Sequence, residues 1–472
     1  MEWRSGSGVT LTAEWFCRWP LPITLCELFH KVPALTPAPQ LPTQPLLVDL
    51  YAAATAAVAP GPALRQRLLA HPTPHQPVWI LALGKAAVPM AEAAIQVLQE
   101  EGGRPAGGVV VGPGAGPSPD PALVYVQGDH PEPGAGSRRA ADALGKAVER
   151  IPDEAEVWVL LSGGTSSLIA APEPGLSPAD LASLYRLLLG SGLDIRAMNQ
   201  IRKRFSRWGG GKLARALAPA RVRVYIVSDV IGDDLSAIGS GPCVPDPATA
   251  LEVRQQLEQA GLWRRIPAAA RSLVISTEAG SLPETPKPGD AAFARVTSEL
   301  IASNRLALEA AARRAGEWGL RPTVMEAPIA GEASIVGGEL ARLLIGSRSS
   351  SHDSAEPSCV IWGGETTVTL GGSPGSGGRC QELALAAGRV LDGSSDGVAL
   401  LAAGTDGRDG PTDAAGAVVN GETWQAIIRA GRDPARDLAE HNAYPALDAA
   451  GALLRPGLTG TNVMDVVIGV RT

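Results

Sequence analysis

The sequence lacks the residue patterns that define several large classes of protein. Its five cysteines include no C-x-x-C pair, so neither a disulfide framework nor a cysteine-based zinc site is indicated. No uninterrupted apolar run approaches the roughly 20 residues that cross a bilayer. These absences predict a soluble protein without a membrane partner, working in a reducing cytoplasm.

Positive charge is also scarce, with 41 Lys and Arg against 48 Asp and Glu and a formal net charge of −7. A nucleic-acid surface needs clustered basic residues, and no basic stripe interleaved with aromatics occurs. The phosphate-binding pattern G-x-x-x-x-G-K-[ST] is missing too, because the GGGK at residues 209–212 is followed by leucine and lacks the spacing. Any nucleotide site is therefore expected to differ from a P-loop.

Glycine, in contrast, is abundant and concentrated in loops. The segment GGSPGSGGRCQE at residues 371–382 surrounds Arg379 with glycines, including Gly377 and Gly378, and runs through Glu382 into a helix-forming stretch. Open backbone N–H groups, a fixed cation and a helix start together favour an anion, with phosphate as the leading candidate. A flexible surface turn is the alternative interpretation.

Four apolar runs end in similar loops, and alanine- and leucine-rich stretches with helical spacing separate them. Each run is typical of a buried parallel strand, so the alternation predicts an α/β protein. Ligands of open α/β sheets bind beyond the carboxyl ends of the strands, so the loops are expected to share one site. The runs are residues 78–83, 157–161, 222–227 and 398–403, and the helical stretches include residues 86–99, 178–189 and 304–318.

The length of 472 residues allows two or three domains. Residues 1–45, rich in tryptophan and proline, lack the apolar region and cleavage site of a signal peptide and are predicted to be a flexible extension. A helix from residue 46, ended by Pro60 and Pro62, would begin the fold. A serine-rich linker at residues 347–358 would separate a larger domain, residues 46–346, from a smaller one, residues 359–472.

Eight motifs, in the same order over residues 46–470, closely resemble the glycerate 2-kinase family, whose carboxyl-terminal part is the MOFRL domain. The resemblance implies a larger Rossmann-like parallel-sheet domain, a smaller α/β MOFRL domain and an active site in the cleft between them. It further implies ATP- and Mg²⁺-dependent phosphorylation of D-glycerate to 2-phosphoglycerate, with a homodimer left open. The motifs are Gly84-Lys85-Ala86, SGGTSSL from Ser162, NQIRKRFSRWGGGKLA from Asn199, SDVIGDDLSAIGSGP from Ser228, GGETTVTL from Gly363, GGRCQELAL from Gly377, GTDGRDGPTDAAGA from Gly404 and GTNVMDVV from Gly460.

The chain departs from the usual family motifs at several positions, among them Thr165, Arg204, Ile231, Cys380 and Met464. Cysteine and methionine at the last two replace asparagines and remove side chains that could hydrogen-bond. These changes bear on fine substrate specificity.

Phosphoryl transfer needs positioning and charge neutralisation, which the candidate cations supply. Lys85, after Gly84, lies at a strand-to-helix junction where an ammonium can meet phosphate or carboxylate, and Arg379 could clamp phosphate bidentately. A surface lysine and a solvated loop arginine are the alternatives, and the resemblance favours the site. The loop Ser162, Gly163, Gly164, Thr165 and Ser166 would cradle phosphate, although a tight turn needs the same glycines.

Carboxylates suit Mg²⁺, and Asp229, directly after a strand, is the first choice for base or metal ligand. Asp406 is the next choice and Asp234 a further one, although helix caps and turns use the same residue types. From the resemblance, Arg202 and Lys203 are candidates for substrate or phosphate contacts rather than a solvated helical face. The motif from Gly460 adds Asn462 as a binding residue.

Two other functions stay open at the level of sequence. A hydroxypyruvate reductase using NAD(P)H would need G-x-G-x-x-G opening a helix, and the GPGAGP at residues 112–117 has the first spacing but two prolines. A non-catalytic sugar-acid binding protein would also use glycine loops in an α/β cleft, without needing this many carboxylates.

Overall fold

Twelve strands form two six-stranded sheets in the part of the chain that this computed structural model describes, residues 43–71, 76–346, 357–372, 375–394 and 397–472. The strands are β1 (Val78–Leu83), β2 (Gly107–Gly112), β3 (Leu123–Gln127), β4 (Glu156–Leu161), β5 (Arg221–Val227), β6 (Val296–Ala302), β7 (Arg321–Val324), β8 (Ser358–Gly364), β9 (Val398–Gly404), β10 (Gly416–Asn420), β11 (Leu453–Leu454) and β12 (Asp465–Arg471).

The helices of the same residues cover both sheets. They are α1 (Thr43–Ala57), α2 (Pro60–Leu69), α3 (Ala87–Glu100), α4 (Ala135–Val148), α5 (Thr165–Leu168), α6 (Pro178–Leu189), α7 (Ile195–Phe205), α8 (Lys212–Leu217), α9 (Ala250–Gln259), α10 (Ala268–Glu278), α11 (Asn304–Glu317), α12 (Ala333–Gly346), α13 (Arg379–Leu391), α14 (Thr423–Arg429), α15 (Pro434–Ala439) and α16 (Ala443–Ala449). The predicted α/β class is confirmed.

The first sheet is parallel throughout, in the order β3-β2-β1-β4-β5-β6. Its central strands β1 and β4 are buried along their whole length, which explains their continuous apolar sequences. The strand order reverses between β1 and β4, so the loops after these two strands meet at a topological switch point. Open α/β sheets bind ligands at such points.

The second sheet is mixed, in the order β11-β10-β9-β12-β8-β7. Strands β7 and β8 run parallel, whereas the other neighbouring pairs are antiparallel. The prediction of a parallel strand at residues 398–403 was wrong, because β9 is antiparallel to both β10 and β12. Alternate residues of β9 pack in cores that contain α1 on one face and α13 on the other. This two-sided burial gives β9 the apolar run that a parallel strand also has.

One apolar core joins the two sheets. It contains buried residues of α1, α2, α3 and α11 together with one face of each sheet, for example Ile80 of β1 and Ile361 of β8. Separate cores cover the outer faces, and a fourth packs the helices α6, α7, α9 and α10 together. The shared core brings the ends of both sheets into one region.

The predicted extension, residues 1–45, lies outside the described residues except for residues 43–45, which belong to α1. Helix α1 ends at Ala57. Pro60 starts α2 rather than ending α1, since proline suits a first helical position. Tyr51 of α1 donates its hydroxyl hydrogen to the carbonyl of Gly404 at 2.8 Å, which ties α1 to the end of β9.

The two sheets divide earlier in the chain than the predicted linker at residues 347–358. Strand β7 pairs with β8, so the chain passes to the second sheet between β6 and β7, through α11. Residues 347–356 lie outside the described residues, and Ser358 already begins β8. The residue limits of the two domains stay a prediction.

No single helix among the described residues is long and apolar enough to cross a bilayer. The pair α1 and α2, bent by 54° at the break between them, reaches that length and composition only when counted together.

Candidate active site

The first sheet supplies a lysine at its topological switch point. Lys85 follows β1 through Gly84, which has φ 123°, and a Cβ on Gly84 would lie 2.2 Å from Ser162 Oγ. The close contact between the two strand ends therefore requires glycine. The backbone N–H of Lys85 donates to the carbonyl of Gly163 at 2.9 Å, and its side chain is exposed. Its ammonium forms no ion pair within the described residues, which leaves it available to an anion.

The loop after β4, residues 162–166, is held against β1 by its own side chains. The hydroxyls of Ser162 and Thr165 are buried and bind backbone atoms at and just beyond the end of β1. Ser166 Oγ lies 2.8 Å from Ser240 Oγ. These hydroxyls therefore have partners within the protein, and the predicted phosphate cradle would consist of backbone.

The two glycines of this loop allow three polar side chains to converge. A Cβ on Gly163 would lie 1.9 Å from Oδ2 of Asp229, so only glycine fits there. A Cβ on Gly164, which has φ 82°, would lie 3.0 Å from Cδ2 of His130 and 3.2 Å from Cγ of Lys85. The loop thus lies against a lysine, a histidine and an aspartate.

Asp229 lies just beyond β5 and is half-buried. Burial raises the pKa of Asp229 above its usual value, and the positive charge of Lys85 offsets the rise only in part. Burial, and then the charge of Lys85, lowers the pKa of His130, which favours its neutral form. His130 was not predicted, although the polar run after β3, at the same edge of the sheet, was the signal that could have found it.

The second sheet brings its own polar residues to the same region. Asp465, the first residue of β12, lies opposite Gly364 of β8 and Gly404 of β9 in the two antiparallel ladders. The residues that follow β8 and β9 include Glu365 and Asp406. Three neighbouring strands therefore place a carboxylate each at one edge of this sheet.

Arg379, the first residue of α13, is held by two of these carboxylates. Its Nε and Nη2 donate to Asp465 at 2.6 and 2.9 Å, and its Nη1 lies 2.7 Å from Glu365 Oε1. Burial lowers the pKa of Arg379, but the hydrogen bonds and charge of Asp465 outweigh that effect and raise it overall. Burial also raises the pKa of Glu365, which the charge of Arg379 offsets in part. Part of the bidentate face predicted to clamp a phosphate is thus occupied by Asp465.

Residues from both sheets line one cavity of about 320 Å³. Five predicted site residues meet here, namely a lysine, an arginine, two aspartates and an asparagine. The cavity is polar and carries both signs of charge, which suits a small ionic ligand rather than an apolar one. The lining residues are Lys85, Asp229, Glu365, Arg379, Asp406, Arg408, Asp409, Gly410, Asn462 and Met464.

Asp409 connects the cavity to the start of α13. Its carboxylate accepts the backbone N–H of Gln381 at 2.8 Å, and a Cβ on Gly378 would lie 2.3 Å from its Cγ. Gly378 precedes the helix and has no side chain to cap it, so Asp409 supplies the cap from a distant loop. Burial raises the pKa of Asp409 to about 7, against the opposing hydrogen bond from Gln381.

Other predicted residues lie outside this cavity. Glu382 is buried and pairs with His441 at 2.9 Å, and Gly377 lies against α16. Asp234 accepts the backbone N–H of Ser236 at 2.9 Å in a turn. Their proposed roles as ligands of substrate or metal stay predictions.

The two cations of α7 do not line this cavity either. Lys203 is buried, which lowers its pKa, although the charges of Asp246 and Asp234 oppose the shift. Arg202 stacks on the ring of Tyr185 with 4.2 Å from Cζ to the ring centroid, beside a second cavity.

Met464, where the family motif usually has asparagine, lines the first cavity with a positive φ of 70°. Asparagine adopts this conformation more readily than methionine does. The backbone still binds locally, because Met464 O accepts the hydroxyl hydrogen of Thr405 at 2.6 Å and Met464 N donates to Asn462 Oδ1 at 3.2 Å. The departure therefore changes the lining of the cavity but keeps these hydrogen bonds.

The carboxylates of the cavity fit Mg²⁺ only in combination with another ligand. Hard oxygen donors are present, but no group of three or more His, Cys, Asp or Glu side chains suited to a metal occurs in the described ranges. Mg²⁺ commonly takes one or two carboxylates and completes its shell with water and substrate phosphates. The donor set is compatible with that arrangement.

Family models and two named relatives match most of the chain. The model described as "Domain of unknown function (DUF4147)" matches residues 46–275, and the MOFRL family model matches residues 358–465. The chain is 38% identical to the glycerate 2-kinase of Pyrococcus horikoshii over 396 residues, which cover 84% of this chain and 87% of that protein. It is 37% identical to the D-glycerate 2-kinase of Thermotoga maritima over 396 residues, or 83% of this chain and 90% of that protein.

A solved structure supports the same assignment of fold. The crystal structure of a glycerate kinase from Thermotoga maritima matches with a TM-score of 0.82 and 34% sequence identity. The match covers 91% of this chain and 99% of that one. The likeness therefore extends over both sheets and the cavity between them.

Proposed function

The chain belongs to the glycerate 2-kinase family, and we propose that it transfers the γ-phosphoryl group of ATP to D-glycerate, giving 2-phosphoglycerate. One observation carries the proposal: Lys85 and Asp229 of the first sheet share a polar cavity with Arg379 of the second. Phosphoryl transfer needs positioned cations and a base more than covalent chemistry. The cavity contains both.

Each of the three residues has a distinct proposed part. The ammonium of Lys85, which has no ion pair among the described residues, would neutralise charge on the transferred phosphoryl group. Asp229 would accept the proton of the attacking hydroxyl, and its raised pKa makes it a stronger base than an exposed aspartate. Arg379 would bind the glycerate carboxylate or the phosphoryl group with donors that its carboxylate partners leave free.

Mg²⁺ is part of the proposal because its charge would neutralise the nucleotide phosphates. Asp406, which lines the cavity and lies beyond β9, would hold it together with those phosphates. Asp229 is the second candidate ligand. We also propose a reducing, cytoplasmic location, since Cys243, Cys359 and Cys380 are free thiols.

The reductase alternative has little support from the chain. Residues 112–117 connect β2 to β3, so the G-x-G pattern opens no helix and cannot present a helix start to a dinucleotide.

A coupled assay tests the proposed reaction directly. With ATP, Mg²⁺ and D-glycerate, we expect the enzyme to form a product that enolase converts to phosphoenolpyruvate without further additions. Product that needs a phosphoglycerate mutase before enolase acts would assign the transfer to the 3-hydroxyl instead. Hydroxypyruvate-dependent oxidation of NADH, without phosphorylation, would replace the kinase by a reductase.

The two hydrogen bonds from Arg379 to Asp465 predict that Asp465 positions this arginine for catalysis. Asp465→Asn should lower kcat/KM by about tenfold to hundredfold, because the amide cannot accept both N–H groups and loses the charge. Arg379→Lys should have a similar effect, and the double variant should lose little more, because the two residues act as one unit. Steady-state kinetics with D-glycerate measures all three variants.

A matched control exists in the same half of the chain. Arg432 donates to Asp437 through Nε at 2.9 Å and Nη2 at 2.7 Å, outside the cavity. Asp437→Asn removes the same kind of pair, so it should affect the melting temperature but not kcat/KM. Equal kinetic effects of the two Asp→Asn changes would mean that Asp465 acts through stability alone.

A further inference from the structure

We propose that the cavity between α6, α7 and the start of α4 binds the adenine end of ATP. The inference rests on the proposed kinase reaction and adds the place of the nucleotide to it. The cavity has a volume of about 510 Å³, against about 320 Å³ for the polar cavity around Lys85. Glycerate is too small and too polar to require such a space.

The lining of this second cavity suits a flat, apolar group. Leu181, Leu188 and Met198 face it together with Pro131. Leu189 also lines it and is 74% exposed, so apolar surface at this cavity is open to a ligand. Aliphatic side chains and proline pack against the faces of a nucleobase without needing its hydrogen bonds.

Arg202 and Tyr185 add a stacking surface with a spare donor. The guanidinium of Arg202 lies over the Tyr185 ring at 4.2 Å, which forms a planar cationic layer at the wall of the cavity. Its Nε is buried and has no hydrogen-bond partner in the described part of the chain. A buried donor without a partner is costly, so a ligand acceptor here would restore a lost hydrogen bond.

The charge of the lining favours an anionic ligand. Arg138, Arg186 and Arg202 contribute positive charge, and Glu132 is the one acidic side chain among the residues that line the cavity. A nucleoside triphosphate is strongly anionic, whereas a neutral apolar metabolite would gain nothing from three guanidinium groups.

The two cavities are adjacent along the chain at two points. Pro131 lines the nucleotide cavity, and the preceding residue, His130, lies beside Gly164, where an added Cβ would come within 3.0 Å of its Cδ2. Ser167 also lines the nucleotide cavity, in the short helix that follows Gly164. A nucleotide with its base against the Arg202 guanidinium would therefore extend its phosphates past Gly164 toward Lys85.

Two variants test this placement by different means. Arg202→Met removes the stacked cation and its donor, and Ala182→Trp fills the cavity from an exposed position on α6. Each should raise the KM for ATP and the calorimetric Kd of Mg-ADP at least about tenfold, the loss expected for one stacking contact. The KM for glycerate and kcat should change less than about twofold, and the Kd of inorganic tripolyphosphate should rise much less than that of Mg-ADP, because tripolyphosphate lacks the base.

Arg254→Gln is the matched control, because Arg254 stacks on Trp263 at 5.2 Å without lining either cavity.

Unchanged ADP affinity in both test variants, with folding verified by melting, would overturn the placement. A parallel loss of tripolyphosphate affinity would also overturn it, since the effect would then not concern the base. A wild type that binds Mg-ADP, loses it in the variants and yet does not phosphorylate glycerate would refute the proposed reaction while supporting the nucleotide cavity. A wild type that does not bind Mg-ADP would refute both.

Discussion

Replacing Lys85 by methionine is expected to lower kcat/KM for D-glycerate by about 10²- to 10³-fold, the usual cost of losing one charged contact to a developing transition-state charge. Methionine keeps the length of the side chain and removes only the ammonium. Lys85 is exposed and has no ion pair among the described residues, so its loss should leave the melting temperature unchanged. Steady-state kinetics and thermal melting together measure both parts of the prediction.

The control for Lys85 is Lys146→Met, since Lys146 is an exposed lysine of α4 that does not line the polar cavity. It removes the same charge from the same protein, so any general electrostatic effect on ATP binding would be common to both variants. Kinetics of Lys85→Met equal to those of Lys146→Met would remove Lys85 from the site. Lys85→Arg adds a test of geometry, because a planar guanidinium cannot replace a compact ammonium at a close contact.

Much of the fold could be predicted because local pattern and burial agree. The apolar run at residues 78–83 coincides with β1, and the helical stretch at residues 178–189 coincides with α6. The direction of β9 could not be predicted in this way, since strands covered on both faces are apolar whichever way their neighbours run. The sequence also did not predict that β7 joins the second sheet, because strand pairing depends on contacts distant in sequence.

Part of the site could be predicted because residues follow strand ends directly. Lys85, Asp229 and Asp406 each lie just beyond a strand, and the structure brings all three into one cavity. The partners of Arg379 could not be predicted from spacing, since Asp465 lies 86 residues away in sequence and meets it through β12. The position of His130 beside Gly164 could not be predicted for the same reason. Long-range pairing, rather than local sequence, decides these contacts.

Asp229→Asn is expected to have the largest effect, a loss of about 10²- to 10⁴-fold in kcat, because the amide cannot accept a proton from the attacking hydroxyl. In the wild type, only the ionised carboxylate can act as base, so kcat/KM should fall as the pH is lowered through the pKa of Asp229. Burial raises that pKa, so this acidic limb should lie at higher pH than for an exposed aspartate. The residual kcat/KM of Asp229→Asn should not show this fall at low pH.

The pH dependence of folding stability provides a second test of Asp229. A carboxyl group whose pKa is higher in the folded than in the unfolded state makes folding less favourable once the pH exceeds its unfolded pKa, and the penalty grows until the pH passes the folded pKa. Asp229→Asn should therefore be at least as stable as the wild type at pH 8, and the gap should close in acid. Asp233→Asn, in the same loop at a φ of 53° that asparagine tolerates, is the control. A variant at position 229 that keeps wild-type turnover, or that melts lower than wild type at pH 8 with the Asp233 control unchanged, would show that the Asp229 carboxylate has a structural partner rather than a catalytic one.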